Sequence, residues 1–446
     1  MTELQQYRIE AGSAADLVRE IEAAVASGAL AHGQQLPSVR RLAAQVGLSP
    51  VTVAAGLAEL RRRGVVLTEP RRGTRIGQGP PIGSQRAPLP VPAGARELSR
   101  GNPDPALLPN LGHAVARCEL PVRLYGEPQA LPELEQLARE QLHADGVPGQ
   151  DLCILSGAMD AIERVLEAHL RPGDRVAVEN PGYAALYDLL RAHGLALAPV
   201  ALDEHGMLAA DLHDALSRGA VAVVLTPRGQ NPTGAAFDSA RAHELHAVLA
   251  EFPDTLLIED DHLGPVAGSE LHTLLAAGAP PKRWAATRSV AKALGPDLRL
   301  AVLAGDTHTI ARVQGRQQCG PGWVSHVLQS LVLSLWRDPS VQELVAHASA
   351  TYARRREQLL ACLAQEGVNA SGTSGLNVWI AVHEEASIVG ALMQRGWVVA
   401  PGAAYRLPGA TPGIRVTTAT LLAHEAARLA SDLAETLTPA PVSRSG

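Results

Sequence analysis

The sequence has almost no lysine. It carries 39 basic residues, and only Lys282 and Lys292 are not arginine. Arginine stays protonated at any usable pH, whereas a buried lysine can lose its proton and attack a carbonyl. A chain that otherwise writes its positive charge as arginine therefore makes each lysine a candidate for chemistry. Aromatic residues are also scarce, at 3%. The four cysteines, Cys118, Cys153, Cys319 and Cys362, lie far apart, which excludes the usual metal-binding spacings and a disulfide framework and suits a reducing cytoplasm. No metal site is expected. No apolar run reaches membrane-spanning length, and the opening "MTELQQYRIEAGSAADLV" lacks the apolar core of a secretory signal. The expectation is a cytoplasmic protein with no membrane partner.

What is present is an ordinary soluble composition. The chain has 446 residues, 46% of them hydrophobic, and a net charge of −6. That length predicts two or three domains. The charge is uneven: residues 1–77 hold ten Arg, no Lys and seven acidic residues, a net of +3, which leaves −9 for the rest. A basic end on an acidic body suggests that the end meets a polyanion. Residues 78–96, "QGPPIGSQRAPLPVPAGAR", lack periodicity and are rich in Pro, Gly and Ser. They read as an extended linker.

Before the linker, the periodicity predicts three helices and a hairpin. The first helix covers about 12–27. In the second, "PSVRRLAAQV", Pro37 takes a first-turn position and Val39, Leu42, Ala43 and Val46 fall on one face. "GLS" makes the turn, with Ser49 as cap and Pro50 as first residue of the third helix, which buries Val53, Leu57 and Leu60 and ends at Gly64. "VVLTEPRRGTRI" then reads strand, turn, strand. Three helices with a tight turn between the last two, followed by a basic hairpin, make a winged helix-turn-helix.

The stretch "SGALAHGQQLPSVRRLAAQVGLSPVTVAAGLAELRRRGVVLTEPRRGTRI" resembles the GntR-type DNA-binding domain. The resemblance implies a double-stranded DNA partner and a contact set of Ser38, Arg40, Ser49, Thr52, Arg71, Arg72 and Gly73. Arg40 would meet a phosphate. Ser49 and Thr52 would start the recognition helix in the major groove. Arg71, Arg72 and Gly73 would form the wing tip at the minor groove. Pro50 and Val51 stand where the family often has Arg and Thr, which shifts base reading toward apolar contacts and wing arginines.

After the linker, short apolar runs alternate with helical patterns. "RVAVE" (175–179), "AVAVVLT" (220–226), "TLLIED" (255–260) and "LRLAVLAG" (298–305) fit strands buried on both faces of a largely parallel sheet. The fold class is a doubly wound α/β domain, in which ligands bind beyond the carboxyl ends of the strands. Those loops hold the informative residues. "LSGAMDAIERVL" sets Ser156, Gly157 and Ala158 at a helix N-terminus, which favours a phosphate. "NPGYAALY" places Tyr183 past a strand end, and "TPRGQNPTG" places Asn231 in a turn. "LLIEDDHLG" ends a buried strand on Glu259, Asp260 and Asp261, a costly arrangement unless a cation answers. "SVAKALGPDLR" carries Ser289, Lys292 and Arg299. One ligand uses all of these: pyridoxal 5′-phosphate. Its aldehyde needs an amine, its phosphate a helix N-terminus, a hydroxyl and an arginine, its ring nitrogen a carboxylate, and its ring face an aromatic.

The ordered set, from about residue 98 to 438, resembles the fold-type-I aminotransferases, which have a large α/β sheet domain and a smaller C-terminal α/β domain. The resemblance implies that Lys292 joins the cofactor and Asp260 pairs with its ring nitrogen. Asn231 and His262 would face the ring hydroxyl, and Tyr183 would stack on the ring. Ser156, Gly157, Ala158, Ser289 and Arg299 would hold the phosphate. Tyr125, in "LYGEPQALPEL", would reach the phosphate of a partner subunit, and Arg415, in "PGIRVTT", would clamp a substrate carboxylate. His262 stands where the family usually has Tyr, which makes cofactor attachment pH-sensitive. Ala291 stands where Ser is common.

A GntR-type head on an aminotransferase-like body resembles the MocR subfamily of transcriptional regulators. The domains expected are a winged helix-turn-helix at 1–77, a linker at 78–96 and the cofactor domain at 97–440, with its smaller part from about 340. The function implied is a regulator that senses an amino acid, an amine or pyridoxal phosphate itself, as a head-to-tail homodimer. The alternatives are a working aminotransferase with an attached DNA-binding domain, and a dimerisation scaffold without cofactor.

Overall fold

The computed structural model describes residues 11–31, 33–62, 64–69, 73–77 and 89–437. The described residues fall into two compact units, those up to 77 with the short stretches 170–175 and 185–197, and the remainder.

The head is three helices and a two-stranded wing. The helices are Ala14–Ala26, Val39–Val46 and Pro50–Arg62. Each begins where a hydroxyl answers a free backbone N–H. Ser13 accepts from Asp16, Ser38 from Arg41, and Ser49 from Thr52 at 3.0 Å. Pro37 thus precedes the cap and is not in the first turn as the sequence suggested. Ser38 wins the cap because its side-chain oxygen can accept, which a prolyl ring cannot do. Leu17, Ile21, Leu42, Val53, Leu57 and Leu60 close the core over Val66 and Ile76. The wing pairs Val66–Glu69 with Gly73–Ile76 antiparallel, Val66 opposite Ile76.

The body is built on an eight-stranded sheet. Its order is Leu152–Leu155, Ala301–Gly305, Arg283–Ser289, Leu256–Asp261, Ala220–Leu225, Arg175–Asn180, Ala196–Asp203, Gly206–Met207. The strands at Ala220, Leu256 and Arg283 run parallel, as their continuous apolar sequences predict. Ala301–Gly305 departs from that expectation and is antiparallel to both neighbours. This reversal matters for the site. The parallel strands deliver their carboxyl ends to one edge, and the reversed strand delivers its beginning, Arg299, to that same edge.

A second sheet of four strands joins Ala370–Ser371, Asn377–Ala381, Gly413–Thr417 and Ala400–Pro401. It packs on Pro339–Gln365, Glu385–Gln394 and Ala423–Leu437 around Leu359, Trp397, Ile414 and Leu429. The sequence placed this smaller part after about 340. The structure adds a piece from far upstream: Arg96–Glu97 pairs in parallel with Trp397–Val398, and Leu98 is buried in the same core. A strand this short carries no detectable sequence pattern.

The loop carrying Asn231 is pinned from below. Gly234, at φ +71°, sits where a Cβ would fall 2.7 Å from the Asn377 carbonyl. Gly234→Ala should therefore cost about 1–3 kcal/mol, read as a lowered thermal midpoint of the full chain. An unchanged midpoint would show that the loop relaxes freely.

Candidate functional site

Three acids end the strand Leu256–Asp261, and each meets a different fate. Glu259 accepts from the Thr273 hydroxyl at 2.6 Å and the Leu274 N–H at 2.8 Å. Asp261 accepts both Nε and Nη2 of Arg228 at 2.9 Å and Nε of Arg288 at 3.0 Å. Asp260 has a buried oxygen, Oδ1, with no hydrogen-bond partner. Burial, then Asp261 and Glu179, pushes its carboxyl up to about 7. An orphaned buried carboxylate oxygen is destabilising, and a bound N–H cation would relieve it. The sequence saw that the cluster needs a cation. The structure shows that the two flanking acids are already answered and that Asp260 alone waits for one.

Lys292 sits on the single-turn helix Ala291–Leu294 and donates to the Gly101 carbonyl at 2.6 Å. Burial, then the charge of Arg415, brings its amine down to about 8. A substantial neutral fraction at mildly basic pH makes it a usable nucleophile. His262 is pushed down to about 4 by burial and then by Lys292. It is therefore neutral at ordinary pH. The pH sensitivity expected of His262 falls on Lys292 instead.

Arg415 is 3% exposed. Its Nη1 donates to Asn231 Oδ1 at 2.8 Å, its Nη2 to the Ser99 carbonyl, and its guanidinium lies 4.8 Å from the Tyr405 ring centroid. Its Nε is buried without an acceptor. A cation held by carbonyl oxygens and a π face, with no carboxylate against it, is prepared for an anionic ligand. Tyr183, whose phenol is raised by burial and then by Asp260 and Tyr405, faces the same space.

The phosphate-binding candidates also converge. Ser156 and Gly157 precede the helix Ala158–His169, and Ser156 N–H is held by Asp160 at 2.9 Å. Arg299 Nη2 reaches the Ser156 carbonyl at 3.4 Å. A Cβ on Gly157, at φ +104°, would meet that guanidinium at 3.2 Å, so glycine permits the close approach. The hydroxyl of Ser289, 7% exposed, accepts from the Ala291 N–H at 3.2 Å. A helix N-terminus, a hydroxyl and a guanidinium are the donors a phosphate needs, and with Lys292 and the orphaned Asp260 oxygen the set fits pyridoxal phosphate.

Tyr125 does not join this group. It is 91% exposed and packs edge-on against Trp323 at 5.6 Å. Sequence reasoning missed Tyr405, Ser99 and Gly101. Tyr405 lies in "VVAPGAAYR", whose family likeness was legible but whose contact with Arg415 was not. The backbone carbonyls of Ser99 and Gly101 have no side-chain signature at all.

In the head, Ser38 and Ser49 spend their hydroxyls on capping, and Ser49 Oγ also lies 2.7 Å from Thr52 Oγ1. Arg40 is exposed on the second helix. Val51, in the first turn of the third helix, is 79% exposed. Gly73 opens the second wing strand opposite Glu69. Arg71 and Arg72 lie outside the described residues.

Comparison with known proteins matches residues 97–433 to aminotransferase class I and II and residues 13–76 to the bacterial regulatory proteins of the gntR family. The chain is 37% identical over 436 residues to the vitamin B6 salvage pathway transcriptional repressor PtsJ of Salmonella typhimurium, covering 96% of this chain and 99% of that protein. It is 27% identical to the HTH-type transcriptional regulator TauR of Rhodobacter capsulatus, over 79% of each. Among solved structures, LysN, an α-aminoadipate aminotransferase from Thermus thermophilus, superposes with a TM-score of 0.68 at 22% identity, covering 77% of this chain and 92% of that one. An aminotransferase from Staphylococcus aureus gives 0.70 at 19% identity, covering 80% and 97%.

The depressed Lys292 amine can be read directly. Acylation by a small lysine-directed reagent, followed residue by residue by mass spectrometry, should show Lys292 gaining reactivity with a midpoint near pH 8, set against the exposed Lys282. Arg415→Gln should move that midpoint upward, because it removes a neighbouring positive charge. A midpoint unmoved by the substitution would place Arg415 too far from the amine to act on it.

Proposed function

This chain belongs to the class I and II aminotransferase family and carries a gntR-family head, as the MocR-type transcriptional regulators do, and we propose that it couples DNA binding to occupancy of the Lys292 site by pyridoxal 5′-phosphate or an amine joined to it. The observation that carries this reading is the orphaned oxygen of Asp260 at the end of one strand, while the neighbouring parallel strand leads into a buried lysine with a lowered proton affinity. The name of the Salmonella relative, a repressor of vitamin B6 salvage, supports pyridoxal phosphate itself as the signal.

Pyridoxal phosphate supplies an aldehyde that joins amines and a ring that draws electrons. The chain's own residues do the rest. Lys292 provides the amine, and Asp260 would hold the ring nitrogen. Asn231 and His262 would face the ring hydroxyl and Tyr183 its π face. Ser156, Gly157, Ala158, Ser289 and Arg299 would hold the phosphate. Arg415 would receive the carboxylate of an amino acid.

Two contacts within the chain compete with these roles. Lys292 holds the Gly101 carbonyl and Arg415 holds the Ser99 carbonyl. Both carbonyls belong to the strap that follows Arg96–Glu97, the first strand after the linker. A ligand that takes Lys292 and Arg415 releases the strap, and the strap continues into the linker. Such a ligand binds two arrangements unequally, as any switch requires. The exposed run Leu120, Val122, Leu124 and Tyr125 supports a second copy covering that face, which would bring Tyr125 to the partner's phosphate in a head-to-tail dimer. We place the molecule in the cytoplasm. Among the described residues no single helix is long and apolar enough to cross a membrane.

Titration with pyridoxal phosphate should give a saturable visible absorption band that Lys292→Ala abolishes. A band of equal size in the variant would move the attachment to Lys282 and sink this reading. In the head, Arg40→Ala should weaken DNA binding at every sequence and reduce the salt slope by about 1 unit. An unchanged slope would remove Arg40 from the phosphate contacts.

A further inference from the structure

Behind the helix that carries Lys292 lies a cavity of about 790 Å³ that the reading above leaves unused. Ser289, Val290, Ala293 and Leu294 line it, and Lys292 does not. Pro265, Leu335, Trp336, Val341 and Val345 give it apolar walls, interrupted by Gln141, Gln342 and Ser349. That volume falls within the ~300–1,000 Å³ range of small-molecule sites.

One end of the cavity is charged. Arg228 and Arg288 line it at 6% and 7% exposure, with Asp145 beside them. The valences of this cluster are unevenly used. Asp261, 6% exposed, accepts three hydrogen bonds from the two guanidinium groups and a fourth from the Gly264 N–H at 3.2 Å. Arg228 spends Nε and Nη2 on Asp261 and Nη1 on the Ser269 carbonyl. Arg288 spends Nε on Asp261 and Nη1 on Asp145, at 2.7 Å. Among the described residues its Nη2 donates to no acceptor. Asp145 is 36% exposed on its side chain, so water screens its charge far more than it screens the arginines. The polar end therefore offers the cavity a guanidinium N–H without a protein acceptor, on a side chain that is 9% exposed.

We propose that this cavity is a second ligand site, for a small amphipathic carboxylic acid whose carboxylate takes Nη2 of Arg288 and whose aryl or alkyl body lies along Leu294, Trp336 and Val345. A guanidinium N–H without an acceptor favours an anionic one, through a charge-assisted hydrogen bond. The apolar walls reward a hydrocarbon body. A phosphate ester without such a body would leave them wet. Since the ligand would pack on the turn that carries Lys292, it would report to the cofactor site from the opposite face.

The test is calorimetric titration of the full-length protein, loaded with pyridoxal phosphate, with 4-phenylbutyrate and with its neutral analogue 4-phenylbutanol. The acid should saturate, and the alcohol should bind about tenfold or more weakly, the loss expected for one charge-assisted hydrogen bond. Arg288→Gln should weaken the acid by a similar factor. Ala346→Trp, which fills the exposed mouth without touching the charge cluster, should abolish binding even if the arginine variant folds poorly. Arg415→Gln should leave the acid's affinity unchanged. Equal binding of acid and alcohol, indifference to Ala346→Trp, or absence of heat at millimolar concentration would each overturn the proposal. Loss of binding in Arg415→Gln would assign the acid to the Lys292 pocket and leave the reading of that pocket standing.

Discussion

The body depends on how the charges at the end of one buried strand are answered. Three consecutive carboxylates in a low-dielectric interior repel each other and lose their hydration. Glu259 is quieted by a hydroxyl and a backbone N–H, and Asp261 by two arginines. Asp260 is left with an unpaired oxygen. Its neighbours are fully committed and cannot turn to help it. Asp260 Oδ1 therefore favours a partner that brings a proton donor.

The same economy runs through the positive charges. Arginine does the structural work, holding Asp261 and Asp203 in forked hydrogen bonds. Its planar, permanently charged group suits that task. Lys292 is buried, with its amine brought down to about 8, whereas Lys282 is an exposed partner of Asp254. Arg415 is buried against carbonyls and a tyrosine ring and makes no ion pair among the described residues. Among the described residues the site thus holds a buried carboxylate oxygen without a donor, on Asp260, and a buried guanidinium Nε without an acceptor, on Arg415. The proposed ligand, an amino acid joined to a pyridine ring, would answer both.

The head follows a different logic. Its hydroxyls cap helices, so Ser38 and Ser49 fix the angle between second and third helices before they meet any partner. Thr52 is tied to Ser49. The residue that projects freely at the start of the third helix is Val51, an apolar side chain. Base discrimination through a methyl-sized apolar contact fits this surface better than a fork of hydrogen bonds.

Much of this protein was legible in the sequence because its informative residues are local. Period-3.6 patterns and a cap before Pro50 gave the head. Continuous apolar runs gave the buried strands, and Ser156, Asn231, Asp260, Ser289, Lys292 and Arg299 stand at or near the ends of strands. Their types alone pointed to one cofactor. What the sequence could not decide was pairing over distance. The reversal of Ala301–Gly305, the return of Arg96–Glu97 to Trp397–Val398, the grip of Arg415 on Ser99 and the setting of Tyr405 under its guanidinium join residues tens to hundreds of positions apart. Hydrophobic period and loop chemistry are properties of neighbours along the chain. Which carboxylate stays unpaired is a property of neighbours in space, and only the packed structure could assign it to Asp260.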